Sequence, residues 1–287
     1  MPRQRANERA CDKAIRTTLA YRSIFKYPLS FYQLTTFLIS DRSFKYDFFK
    51  NELQKMAKKG YIQTKGGKYY LNSIKPVSWE VRKKNAETLL ENNQHIFEML
   101  KIVPWIKFLG VTGSVAAFNA DKTSDIDIFI ISAKNRLWLT RGFTAILLKI
   151  AKTYVRVDAE PGKLCPNLFV DESALEWPKE KQTVYTAHEI ALIHPIFQRE
   201  NTYFKFLAAN DWVKKYLPHF NLETGNLPKS KTKLSLVDGI ENTAMKLQMM
   251  YMKRKKTKEV TNKHIIHFNK NDNGPMILEH FEKLQKV

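Results

Sequence analysis

Residues Val111–Ile131 read VTGSVAAFNADKTSDIDIFII, and this stretch decides the fold. The run Ile126, Ile128, Phe129, Ile130, Ile131 is β-branched and aromatic, which predicts a strand. A period of two places Asp125 and Asp127 on one face of that strand. Like charges at neighbouring same-face positions repel, and a purely structural strand gains nothing from them. A hard divalent cation resolves the conflict, because carboxylate oxygens are its preferred ligands. Upstream, Gly113-Ser114 forms a turn that opens a short helix predicted near Val115–Phe118. Gly113 lets the backbone approach a phosphate with no Cβ in the way. Ser114 brings a hydroxyl to a helix start, where free amides favour anions.

Working outward, a strand is predicted over Trp105–Val111, a helix over Arg136–Lys152, and a further strand over Leu164–Val170 (LCPNLFV). The order is then strand, Gly-Ser turn, helix, Asp-x-Asp strand. With Gly113-Ser114 and Ser124-Asp125-Ile126-Asp127 in that order, residues 101–175 resemble the polymerase-β-like nucleotidyltransferase superfamily. The resemblance implies that Gly113 and Ser114 hold a nucleoside triphosphate and that Asp125 and Asp127 hold Mg²⁺ or Mn²⁺. It implies transfer of a nucleoside monophosphate to an acceptor hydroxyl with release of pyrophosphate. Such a transfer is mostly a matter of positioning and electrostatics. Lys122 and Arg136 are near in sequence and are candidates to neutralise phosphate.

The resemblance also implies a third carboxylate on the later strand, where this chain has Asn167. Asn ligates through its carbonyl oxygen but takes no proton from an acceptor. Asp158 and Asp171 are the substitutes considered. Three options follow: a one-metal transferase, an acid supplied from elsewhere, or an inactive nucleotide-binding domain. A loose phosphoryl-type transition state depends little on a base, so losing one acid does not by itself abolish turnover.

At the N-terminal end, residues 13–26 show helical spacing, Ser30 is a candidate N-cap for a second helix, and a third helix is predicted over Phe44–Lys59. Tyr61–Thr64 and Lys68–Leu71 flank Lys65-Gly66-Gly67 as a hairpin. Three helices and a hairpin make a winged helix-turn-helix over residues 1–75. Its candidate nucleic-acid contacts are Lys45, Lys50, Lys55 and Lys58 on the third helix and Lys65 and Lys68 on the wing. The same lysines also suit a packing module with a solvated face. Little Arg on the third helix argues against base-specific readout.

Residues 76–103 are predicted as one linking helix, 104–180 as the small nucleotidyltransferase domain, and 181–287 as a helical C-terminal region with a basic tail, MKRKKTK at 252–258. Within that region, His188-Glu189 reads as a helix-surface pair, since the zincin pattern fails at Leu192. Trp212, Tyr216 and Phe220 read as core, and Asn210 as a cap or turn residue. The expected fold is α+β: winged helix, small mixed sheet, helical end.

Composition bounds the rest. The chain has 287 residues, 44% hydrophobic residues and a net charge of +20. Residues 1–75 carry +11, residues 76–227 carry +2, and residues 228–287 carry +7. Basic ends suggest a polyanionic partner such as nucleic acid. No membrane helix or secretory signal is evident, and two distant cysteines, Cys11 and Cys165, make neither a disulfide framework nor a zinc site. A cytoplasmic setting is the simplest expectation. Two functions are therefore carried forward. One is a metal-dependent nucleotidyltransferase. The other is an inactive nucleotidyltransferase-fold protein that serves as a nucleic-acid-binding regulator.

Overall fold

A computed structural model describes residues 2–154, 161–221, 237–253, 260–267 and 273–285. The first helix, α1 (Pro2–Ser23), starts well before the predicted Lys13 and buries Cys11, Ala14, Ile15 and Leu19 along one stripe. The short strand β1 (Leu29–Ser30) leads into α2 (Phe31–Thr36), which Ser30 caps in a capping box with Gln33. The third helix, α3 (Tyr46–Lys58), buries Phe49, Leu53 and Met56. β2 (Gln63–Lys65) and β3 (Lys68–Tyr70) form a hairpin with Lys65 opposite Lys68. Gly66 and Gly67 both have positive φ, as a two-residue turn of matching twist requires. β1 adds to β3, giving a small antiparallel sheet in the order β1-β3-β2.

The predicted linking helix is two helices, α4 (Trp79–Asn92) and α5 (Gln94–Leu100). Asn93 makes the break: its Nδ2 donates to Leu89 O at 3.0 Å and to Gly162 O at 3.3 Å, fastening the joint to a distant loop. The chain then enters a six-stranded mixed sheet. Its strands are β4 (Ile106–Val111), β5 (Ile126–Ser132), β6 (Leu164–Asp171), β7 (His194–Gln198), β8 (Val260–Thr261) and β9 (Ile265–His267). The spatial order is β7-β4-β5-β6-β9-β8, and β5–β6 is the parallel pair. The helices of this part are α6 (Gly113–Ala116), α7 (Leu137–Ile150), α8 (Val184–Ala191), α9 (Thr202–Ala209), α10 (Val237–Lys253) and α11 (Asn273–Gln285).

The helical reading of residues 181–287 is corrected here, since that region supplies three strands to the large sheet. Pro195 is tolerated in β7 because that strand lies at the sheet edge, where one side of the backbone needs no partner. The basic run 252–258 lies mostly outside the described residues.

Alternation along β5 sorts the core. Ile126, Ile128 and Ile130 face α5 and α7, meeting Phe97, Leu100, Trp138 and Leu148. Phe129 and Ile131 face the other way, meeting Ala187 and Ile190 of α8 and Phe206 of α9. Each such large side chain, fully buried, contributes on the order of 1.5–3 kcal/mol. α10 docks on α7 through Glu241, whose oxygens accept from Trp138 N (2.7 Å) and Leu139 N (3.0 Å) at the start of α7. Tyr21 of α1, Val184 of α8 and Ile277 and Phe281 of α11 share a further buried cluster. The end of α1 is thereby packed against α8, one of the helices that cover the Phe129 face.

Candidate functional site

The two aspartates sit where β5 begins. Asp125 precedes the strand and Asp127 is its second residue, so Asp127 shares the face of Phe129 and Ile131. Asp127 O accepts from Thr112 N at 2.9 Å, which ties the loop before α6 to the strand. Gly113 follows with φ +67, and a Cβ built there would lie 2.6 Å from Asp127 Oδ2. That position needs glycine for two reasons, the left-handed backbone and the carboxylate lying over it. Ser114 is exposed, and its Oγ lies 3.4 Å from Ser124 Oγ. Asp121 shapes the intervening loop: its Oδ1 accepts from Thr123 N (2.9 Å) and Thr123 Oγ1 (2.7 Å), while Asp121 N donates to Ser124 Oγ at 3.1 Å. The Gly-Ser turn and the Asp pair, read as neighbours in chemistry from sequence, are neighbours in space.

The parallel pairing of β5 with β6 brings in a residue that sequence reasoning set aside. Cys165 is the register partner of Asp127, and a register shift after Ile128 lets Asn167 face the same carboxylate. Ligand atoms of Asp125, Asp127 and Cys165 all lie within 4.8 Å of one another. Asn167 Nδ2 donates to Asp127 Oδ1, and Cys165 Sγ donates to Asn167 Oδ1 at 2.8 Å. The two-residue spacing of Cys165 and Asn167 was the available signal, because alternate strand residues share a face.

Burial, then the charges of Asp125 and Glu189, push Asp127 up to about 7. Asp125 is raised by burial. Cys165 is pushed up to about 12 by burial and by Asp127 and Asp125. Three groups that would carry negative charge therefore meet with no cation among the described residues beside them, and each resists ionising. A cation bound between them would relieve that resistance. Two carboxylates and a thiol form the set, with the Asn167 amide turned to donate, and the paired carboxylates fit a divalent ion.

The other sequence candidates fall in different places. Asp171 is fully buried at the far end of β6, opposite Ser132, and is consumed by structural bonds. It accepts from Ser173 N (2.7 Å) and Asn135 N (3.2 Å) and holds His264 Nδ1 (2.8 Å), which excludes it as the third acid. Asp158 lies outside the described residues. Arg136 is buried and ion-paired with Asp238 near the Asp171 end, so it does not serve phosphate at Asp127. Lys122 is exposed. His188 and Glu189 are not a surface pair: His188 is 1% exposed and stacked on Tyr21 with ring centroids 4.3 Å apart. Burial pushes His188 down to about 3, and burial, opposed by Arg22, pushes Glu189 up to about 7. Asn210 is fully buried with all its valences used, accepting from Trp177 N and Trp212 Nε1 and donating to Leu175 O and Phe206 O. Trp212, Tyr216 and Phe220 pack on the Phe129-face core.

Lys45, Lys50, Lys58 and Lys65 are exposed on the N-terminal unit. Lys55 is exposed but engaged by Glu52 (3.4 Å) and Glu8 (3.8 Å). Lys68 turns back into the body, with Nζ 3.0 Å from Gln33 Oε1 and 5.5 Å from the Tyr27 ring centroid. It is not a wing-tip contact.

Among the described residues, no helix is long and apolar enough to cross a membrane. Residues 92–216 match the family model described as the nucleotidyltransferase domain, and the match supports a nucleotidyltransferase superfamily for that segment. No curated protein and no solved structure matches the chain. The matched segment runs from the Asn93 joint through the Asp pair and the α8–α9 layer behind it.

Proposed function

We propose that the protein transfers a nucleoside monophosphate from a nucleoside triphosphate to an acceptor hydroxyl with a divalent cation, Mg²⁺ or Mn²⁺, at Asp125 and Asp127. The observation that carries this is the close approach of Gly113 to Asp127: the turn suited to phosphate is packed directly on the paired carboxylates. Asp125 and Asp127 would hold the cation, with Cys165 and Asn167 beside them. A bound divalent cation supplies charge neutralisation for the phosphate oxygens. Gly113 leaves the backbone open to the triphosphate, and the Ser114 hydroxyl donates to a phosphate oxygen. In the transfer, the acceptor oxygen bonds to the α-phosphorus and the bond from that phosphorus to the bridging oxygen breaks. Pyrophosphate leaves, and the acceptor proton passes to a carboxylate or to water.

The test uses the intact protein, a non-hydrolysable triphosphate and Mg²⁺ or Mn²⁺ in titration calorimetry, followed by α-labelled triphosphates with pooled acceptors. Metal-dependent nucleotide binding that disappears in Asp125→Ala/Asp127→Ala is expected. Absence of such binding in the unaltered protein overturns the reading.

One observation favours a second reading. The Asn167 amide donates to Asp127 Oδ1 and stands on β6 where a third acid would be needed. A domain that binds nucleotide without turnover, joined to a nucleic-acid-binding N-terminal unit, is consistent with this. The order of α1, α2, α3 and the β2–β3 hairpin supports a winged helix, and exposed Lys45, Lys50, Lys58 and Lys65 supply its phosphate contacts. Nucleotide binding with no label transfer, together with salt-dependent duplex binding, would select this alternative.

A further inference from the structure

The last turn of α1 reaches the seam between the N-terminal unit and the face of the large sheet that carries Asp127. Arg22 stands there, 5% exposed, and its Nε is sealed from solvent with no hydrogen-bond partner. Among the described residues no carboxylate forms an ion pair with it. Its guanidinium lies over two ring faces instead, 5.5 Å from the Phe25 centroid and 5.8 Å from that of Tyr27. Glu189 acts on it electrostatically without pairing. Buried guanidinium groups are ordinarily paired with an anion, because desolvation without a partner is costly.

A second cation stands on the same tyrosine. Lys68 of β3 lies over the Tyr27 ring. Its pKa is lowered by burial and by the like charges of Lys83 and Arg22, opposed by the carboxylate of Glu80, while Lys83 is itself paired with Glu87 at 3.4 Å. Lys68 is only partly buried, so its side of the tyrosine meets solvent. The seam is also tied to the Gly-Ser loop. Asn119 Nδ2 donates to Phe25 O at 3.3 Å, and Arg82 Nη1 donates to Asn119 O at 3.2 Å. Glu189 connects the other side, since its charge acts on both Arg22 and Asp127.

We propose that Arg22 and Lys68 form a phosphate-binding subsite through which the N-terminal unit completes the site at Asp127. A phosphate group accepts two parallel bonds from a guanidinium and a further bond from an ammonium. It would also offset the like charges of Arg22 and Lys68. Two sources share this chemistry, a phosphate of the nucleoside triphosphate and a phosphate carried by the acceptor. The role as a subsite rests on the nucleotidyl-transfer reading, whereas phosphate binding by Arg22 and Lys68 does not.

The test is calorimetric titration of the intact protein with inorganic phosphate, at low salt and without divalent cation. Arg22→Gln is expected to weaken binding about tenfold or more, as loss of a charge-assisted bond does, and Lys68→Gln to weaken it several-fold. Asp125→Asn/Asp127→Asn should retain phosphate binding while losing metal-dependent nucleotide binding, so the two readings fail separately. Phosphate displaced by a non-hydrolysable triphosphate assigns the subsite to the nucleotide. Phosphate that binds alongside it assigns the subsite to the acceptor. Lys68→Gln, at a partly exposed position, carries the test if Arg22→Gln does not fold. No phosphate binding in the unaltered protein, or binding unchanged in every folded variant tested, overturns the proposal.

Discussion

Replacing Gly113 with alanine would put a methyl group 2.6 Å from Asp127 Oδ2 at a backbone φ of +67. The left-handed conformation alone costs a non-glycine residue about 1–2 kcal/mol, and the carboxylate has to move as well. Gly113→Ala is expected to lower unfolding free energy by about 1–3 kcal/mol in urea titration and to abolish nucleotide binding. A variant of unchanged stability that binds nucleotide normally would show that the turn and the carboxylate are not coupled. Two other residues set a pH response. Asp127 and Glu189 are both held at about 7 in the folded chain, above the roughly 4 of unfolded carboxylates. The folded state therefore holds protons that the unfolded state releases. Their contribution to stability is full below about pH 4 and is lost as pH rises through about 7. Without metal, the protein is expected to resist urea better at pH 5 than at pH 8. Asp127→Asn and Glu189→Gln should each flatten that dependence, and a pH profile unaffected by either substitution contradicts the assignment.

Between elements, Glu241 is informative because one side chain fastens α10 to α7. Its carboxylate caps two backbone N–H groups at the start of α7, which α7's own residues leave without a side-chain cap. Glu241→Ala is expected to cost on the order of 1–3 kcal/mol by leaving buried donors unpaired, read as a lower urea midpoint. Nothing local in the sequence announces this pair, because the partners are far apart along the chain. The same reason separates what was legible from what was not. Gly113, Ser114, Asp125 and Asp127 lie close along the chain, between the start of α6 and the start of β5, so chemistry and period were enough to group them. Cys165 needed the β5–β6 register, and Arg22 and Glu189 needed the packing of α1 and α8. The missed strand β7 shows a competing effect: HPIF follows an apolar helical run directly and contains a proline, and only the free edge of β4 makes it a strand. The split of the linking helix at Asn93 likewise depends on a bond to Gly162 in another loop.

Over the whole molecule, charge and sheet closure carry the remaining expectations. If the N-terminal unit binds a duplex through Lys45, Lys50, Lys58 and Lys65, replacing all four with glutamine should flatten the dependence of log affinity on log salt. The slope should fall by about 0.9 for each phosphate no longer neutralised. Lys55→Gln should change that slope little, because its charge is already shared with Glu52 and Glu8. Equal slopes for the two variants would remove these lysines from the interface. The sheet order has a consequence for how the chain comes into being. β4, β5 and β6 follow one another in sequence and bring the aspartates and Cys165 together, but they leave two edges open. One edge closes with residues 194–198 and the other with residues 265–267. During synthesis the strands of the Asp pair therefore exist first as an unfinished ribbon whose free backbone invites pairing with a second chain. A chain stopped at residue 259 should collect in the insoluble fraction, and supplying the missing residues as a separate peptide should draw it back into solution.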